Sequence, residues 1–168
     1  VVLHWHPGDR NNASPESTTA NKSGRFEFHG VASHAAGSPE RGRSALDGVE
    51  AMNHMVNMMR EHVPSQARIH YIITDGGAAP NIVPEFAEAY YYVRHPKPEQ
   101  VVLLFERVVA AARGAALGTG TQMNYEVMHG NYPVLRNDVL ARVLDRHMRT
   151  LGGIEYSGSE RKFADTLY

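Results

Sequence analysis

Between Arg25 and Met128 the spacing of apolar residues switches from two to 3.6 and back, twice, and this order restricts the possible folds more than any other feature of the chain. Arg25 to Ala32 alternates, with Phe26 and Phe28 on one side and Arg25 and Glu27 on the other, as in a half-buried strand. A helix follows, with Ala45, Leu46, Val49, Met52, Met55, Val56 and Met59 on one face. Ser44 with Asp47 reads as a capping box in its Asp form, and Pro64 closes the segment. Arg68 to Thr74 is rich in β-branched and aromatic residues and reads as a second strand. Asp75-Gly76-Gly77 is a turn, and Phe86 to Arg94, with three consecutive tyrosines, is a third strand. Pro98 suits the first turn of a second helix, Glu99 to Leu117, which Gly118 to Gly120 stop. Gln122 to Met128 alternates Met123, Tyr125 and Val127 against Asn124 and Glu126, giving a fourth strand.

The resulting order, β-α-β-β-α-β, is the split βαβ or ferredoxin-like arrangement of the α+β class. Right-handed crossovers place both helices on one face of a four-stranded antiparallel sheet. Val49, Met52, Val56 and Met59 are expected to be buried against Phe26, Phe28, Ile72 and Val127. The other face and the edges stay open, and an open edge invites pairing with another chain.

Composition narrows the function classes. A chain of 168 residues with 42% hydrophobic content supports one core, with room for part of another domain. Lys plus Arg is 17 and Asp plus Glu is 18, so there is no basic footprint for nucleic acid. No apolar run is long enough to span a bilayer. The absence of Cys excludes disulfides and thiolate zinc sites but leaves the compartment open, the cytoplasm being the expectation. Val1 to Leu3 reads as a strand already under way. Arg161 to Tyr168 reads as an amphipathic helix that stops without a cap. Both ends are therefore expected to belong to a neighbouring domain. The expected division is a flank and connector over 1–23, a central domain over 24–131 and a returning flank over 132–168. In that last flank Asn137 caps a helix that Gly152-Gly153 ends.

Three places offer chemistry. His34 sits in FHGVASHAA, where a strand runs into a loop of small residues that let another molecule approach closely. Asn81, in GGAAPNIVP, has stiff backbone on both sides, so its amide can be aimed at a carbonyl or carboxylate. It could equally satisfy turn backbone, as His34 could be a surface histidine. His4 and His6, two apart on a strand candidate, share a face and could form part of a metal site. A metal site needs three or more ligands, however, and neither HExxH nor paired carboxylates accompany them.

The stretches FHGVASHAAGSPERGRSALDGVEAMNHM and GGAAPNIVPEFAEAYYYVRHP together resemble the zinc-dependent amidohydrolase and carboxypeptidase family of aminoacylases, hippurate hydrolases and glutamate carboxypeptidases. The likeness is greatest to the branch that hydrolyses aminobenzoyl-glutamate. The resemblance implies that the central domain is the inserted dimerisation (lid) domain of such an enzyme, which pairs with a second copy of itself. It implies that His34 reaches into the partner's active site to stabilise the oxyanion, that Asn81 holds the substrate carboxylate or carbonyl, and that Arg94 binds a substrate carboxylate. LHWHPG resembles the catalytic-domain strand carrying one metal ligand, which is His4, or His6 if the strand is shifted. Zinc, or manganese or cobalt, is implied for the parent enzyme. The remaining metal ligands and the catalytic Glu pair are absent from this chain, so the piece alone is expected to be inactive and to bind no metal tightly. The alternative is a stand-alone ferredoxin-like domain that binds a small ligand or partner without catalysis.

Overall fold

A computed structural model describes residues 11–14 and 16–167. The elements are β1 (Ala20–His29), β2 (Ser33–His34), α1 (Ala45–Met59), β3 (Arg68–Asp75), β4 (Ile82–Val83), β5 (Phe86–His95), α2 (Pro98–Thr119), β6 (Gln122–Asn131), α3 (Asp138–Leu151) and α4 (Gly158–Asp165). Ser17–Val134 forms one compact unit; residues 1–16 and 135–168 fall in a second.

In the first unit, β1, β3, β5 and β6 make one antiparallel sheet in the order β3-β5-β1-β6. This is the α+β, ferredoxin-like arrangement expected from the sequence. Both helices pack on one face. Val49, Met52 and Val56 of α1 and Leu104, Phe105, Val108 and Ala112 of α2 are buried with Phe26, Phe28, Ala89, Tyr91 and Val93 of the sheet. The Phe26 and Tyr91 rings meet edge to face at 5.5 Å. Tyr91 donates its hydroxyl proton to Asn53 Oδ1, so the one buried phenol in this layer is satisfied. Burial pushes its pKa well up, which keeps it a neutral donor. Gly48 lets α1 settle on the sheet, since a Cβ there would lie 2.4 Å from Phe28.

The expected core needs two corrections. Ile72 pairs across to Tyr90 on the face away from the helices and is 60% exposed. Its strand is apolar in both phases, and the register puts Ile69 and Tyr71 inward instead. Val127 is 43% exposed, because β6 is an edge strand. Met59 is half-buried, and Met55 is largely at the surface.

β1 begins at Ala20, inside a stretch read from the sequence as irregular. The polar run Ala20 to Ser23 is held as strand because β1 is central and bonds to β5 on one side and β6 on the other. Ser44 caps α1 by accepting from Asp47 N at 3.1 Å. The full reciprocal capping box occurs at α4, between Ser157 and Glu160, where the sequence reading saw no cap. α2 runs from Pro98 to a left-handed Gly120 at φ 68°. The chain enters and leaves the unit at the same end of the sheet. There Ser17 Oγ donates to Val134 O (2.7 Å), and Val134 N donates to Thr18 Oγ1 (3.0 Å).

The second unit contains α3, capped by Asn137 through Leu140 N at 3.0 Å, and α4. Among the described residues no helix is long and apolar enough to cross a membrane.

Candidate functional site at the loop end of the sheet

The two loops singled out in the sequence are joined. Beyond β1, Gly30 N donates to Glu85 O (2.8 Å), and Val31 exchanges two backbone bonds with Arg43. The approach is so close that a Cβ on Gly30 would sit 1.9 Å from Arg43 O. The chain then forms a short ladder, Ser33 opposite Val83 and His34 opposite Ile82. Ala35 N donates to Asn81 O at 3.0 Å and extends it. His34 and Asn81, 47 positions apart, thus become neighbours. Nothing in the local sequence announces this ladder, because two-residue strands carry no periodicity.

The His34 ring is oriented by its own loop. Nδ1 accepts from Gly37 N at 3.0 Å and from Ala36 N at 3.2 Å. A nitrogen receiving two N–H groups carries no proton, so in the neutral ring the proton is on Nε2. The side chain is exposed and therefore presents Nε2–H outward as a donor. Ser33 Oγ, bonded to Ser38 O, and Ser38 N, bonded to His34 O (3.1 Å), brace the same turn. Asn81 is exposed, and its side-chain amide has no protein partner among the described residues. On the other side Gly77, at φ 97°, packs so closely on Pro84 that a Cβ would lie 2.8 Å from its ring. Gly77 N donates to Asp75 Oδ1 at 2.9 Å, which closes the turn.

Beside the ladder lies an open depression of about 500 Å³. Ala35, Leu46, Asp47, Ala78, Pro80 and Ile82 are among its walls. The sequence reading did not find it, because it joins the first turn of α1 to a loop more than thirty residues away.

Arg94 lies at the opposite end of the sheet. It pairs with Asn21 at the start of β1, whereas Phe86 pairs with His29 at the His34 end. Eight residues of extended chain separate those two positions, about 27 Å. The Arg94 guanidinium lies over Tyr92 at 5.5 Å, and its Nε is buried without a protein partner, as is the neighbouring Asn21 Oδ1. Nearby on the open face, Arg25 pairs with Glu88 at 2.8 Å. The hydrogen bond from Ser23, helped by Tyr92 and the Arg25 charge, lowers the Tyr90 pKa.

Residues 17–119 match the family model described as the peptidase dimerisation domain. The chain belongs to that family. This dimerisation domain and its flanks are 37% identical over 168 residues to a p-aminobenzoyl-glutamate hydrolase of Escherichia coli (strain K12), covering 99% of this chain and 35% of the relative. They are 32% identical over 153 residues to the Xaa-Arg dipeptidase of Mus musculus, covering 90% of this chain and 35% of that protein. The chain therefore spans about a third of the length of the curated relatives it matches. Among solved structures it resembles an aminobenzoyl-glutamate utilization protein from Klebsiella pneumoniae (TM-score 0.64, 22% identity, 82% of this chain and 35% of that one). It also resembles an amidase of the hydantoinase/carbamoylase family from Burkholderia vietnamiensis (TM-score 0.70, 16% identity, 81% and 33%). At these identities the two structures speak for the fold alone.

Among the described residues of the dimerisation domain and its flanks, no three His, Cys, Asp or Glu side chains come together to hold a metal ion. His4 and His6 lie outside the described residues. The described donor set does not fit a metal.

Proposed function

We propose that this chain is the lid and dimerisation part of a metal-dependent amidohydrolase that cleaves the amide bond of an N-acyl amino acid or similar peptide-like substrate. The curated relatives, a p-aminobenzoyl-glutamate hydrolase and a dipeptidase, support this class. The central domain over 24–131 is then the lid, and 1–23 and 132–168 are flanks of the catalytic domain. The exposed apolar side chains of α3 and α4, Val139, Leu140, Leu151 and Phe163, would be covered there. Zinc, or manganese or cobalt, is the parent's cofactor and supplies the activation of water. His4, or His6, is one of its ligands, and the base and other ligands come from the rest of the enzyme.

The observation that carries the proposal is the oriented Nε2–H of His34 beside the unpartnered amide of Asn81. As water adds to the amide carbon, the carbonyl oxygen gains negative charge. A donor already aimed there stabilises the transition state more than the ground state. Asn81 holds the substrate carbonyl or carboxylate. Arg94 binds the carboxylate of the leaving amino acid through its forked donors.

Arg94 and His34 of one copy are too far apart to touch one such substrate. They meet if the two come from different protomers. Antiparallel edge-to-edge pairing about a two-fold axis turns one sheet end for end, which brings the His34 end of one copy beside the Arg94 end of the other. His34 and Asn81 then act in trans and Arg94 in cis.

The test is complementation in the full-length protein. A His34→Ala protein is mixed, after dissociation and reassociation, with one whose metal site is destroyed but whose His34 is intact. Heterodimers should recover activity, because one of their two sites has both the metal and the partner's histidine. No recovery in confirmed heterodimers would overturn the trans reading. Wild-type activity in the His34→Ala homodimer would overturn the oxyanion role and favour a binding domain without catalysis.

A further inference from the structure

We propose that the depression beside His34 and Asn81 is the subsite for the acyl group of the amide, and that Asp47 makes it reject acyl groups carrying negative charge. The inference rests on the functional reading above and extends it to substrate selection. Ala35, which follows His34 directly, and Pro80 and Ile82, which flank Asn81, all line the depression. A carbonyl held at His34 and Asn81 therefore has its next atoms over this surface.

The wall chemistry selects what those atoms are. Ala35, Ala78 and Pro80 are small or flat, and Leu46 and Ile82 offer apolar side chains, with Ile82 49% exposed. Small walls around about 500 Å³ admit a flat, apolar group such as an aromatic ring, whose burial there is favourable. Among the described residues, Asp47 is the one charged residue in the lining. It is exposed, and only its backbone N–H is engaged, in capping α1 through Ser44. A carboxylate at this rim repels another. That argues against the leaving amino acid, which carries its own carboxylate, and assigns the depression to the acyl side.

The experiment measures kcat/KM of the full-length protein for N-acetyl-, N-benzoyl- and N-succinyl-glutamate in wild type, Ala78→Trp and Asp47→Asn. Wild type should prefer benzoyl and disfavour succinyl. Ala78→Trp fills the depression from an exposed loop position and should lower benzoyl turnover at least tenfold, leaving acetyl within about twofold. Asp47→Asn should raise succinyl turnover about tenfold, the scale of one partly screened like-charge contact, again with acetyl unchanged. This isosteric surface substitution carries the test by itself if the tryptophan variant does not fold. Turnover of the amides with the acyl ranking unaltered by Asp47→Asn, or all three substrates moving together, would overturn the subsite alone. No turnover of any amide by the wild-type protein would overturn the functional reading and the subsite with it.

Discussion

Two backbone N–H groups aimed at Nδ1 leave His34 with a single outward donor, so its contribution should be that of one hydrogen bond to a developing charge. In the full-length protein His34→Ala should lower kcat by about 10²–10³, the scale for losing one oxyanion donor. KM and the oligomeric state should move little, and steady-state kinetics with sedimentation checks both. A mainly raised KM would instead mark His34 as a substrate-binding group. Gly30 tests the support of the same loop. An Ala there would overlap Arg43 O, so the backbone that leads into His34 has to shift. Gly30→Ala should cost about 1–3 kcal/mol in chemical denaturation and lower kcat as well. A variant with wild-type stability and rate would show that the close approach is dispensable.

At the scale of elements, the α1–α2 layer over β1 and β5 carries the stability of the Ser17–Val134 unit. Met52 is fully buried in that layer, and Met52→Ala should destabilise by about 2–5 kcal/mol. Gly114 is the opposite case. It lies inside α2, and an added Cβ would meet Met55 Sδ at an ordinary 3.8 Å. Gly114→Ala should therefore stabilise by up to about 1 kcal/mol, because glycine costs a helix interior backbone entropy. Thermal unfolding of the two variants reads both effects, and a lower Tm for Gly114→Ala would show that α1 and α2 pack more tightly than the geometry indicates.

For the whole molecule, the relatives' greater length and the exposed apolar residues of α3 and α4 fit a domain built to work inside a larger enzyme. Residues 17–134 produced alone should fold, since one contiguous core serves the whole unit. They should hydrolyse no amide. Calorimetric titration with zinc should show no tight stoichiometric site, since too few ligands converge. One tight zinc ion per chain would mean that the described residues hold a metal centre by rearrangement.

The period of the apolar residues by itself determined the element order, because side chains on strands and helices repeat at two and 3.6 and the chain must bury one face of each. Local chemistry likewise marked Ser44, Pro98 and Gly120 as helix ends, since capping involves only neighbours in sequence. Tertiary structure alone decided which phase of Arg68–Asp75 faces inward, because Ile69, Tyr71, Ile72 and Ile73 are apolar in both phases and only pairing with β5 selects one. It alone made Ala20–Ser23 a strand, through bonds on both sides of a central position. The site divided the same way. His34 and Asn81 stood out by their small and rigid neighbours, but their meeting through the Ser33–His34 and Ile82–Val83 ladder, and the distance to Arg94, depend on contacts between residues far apart in sequence. Such contacts arise only once the sheet has brought those segments together.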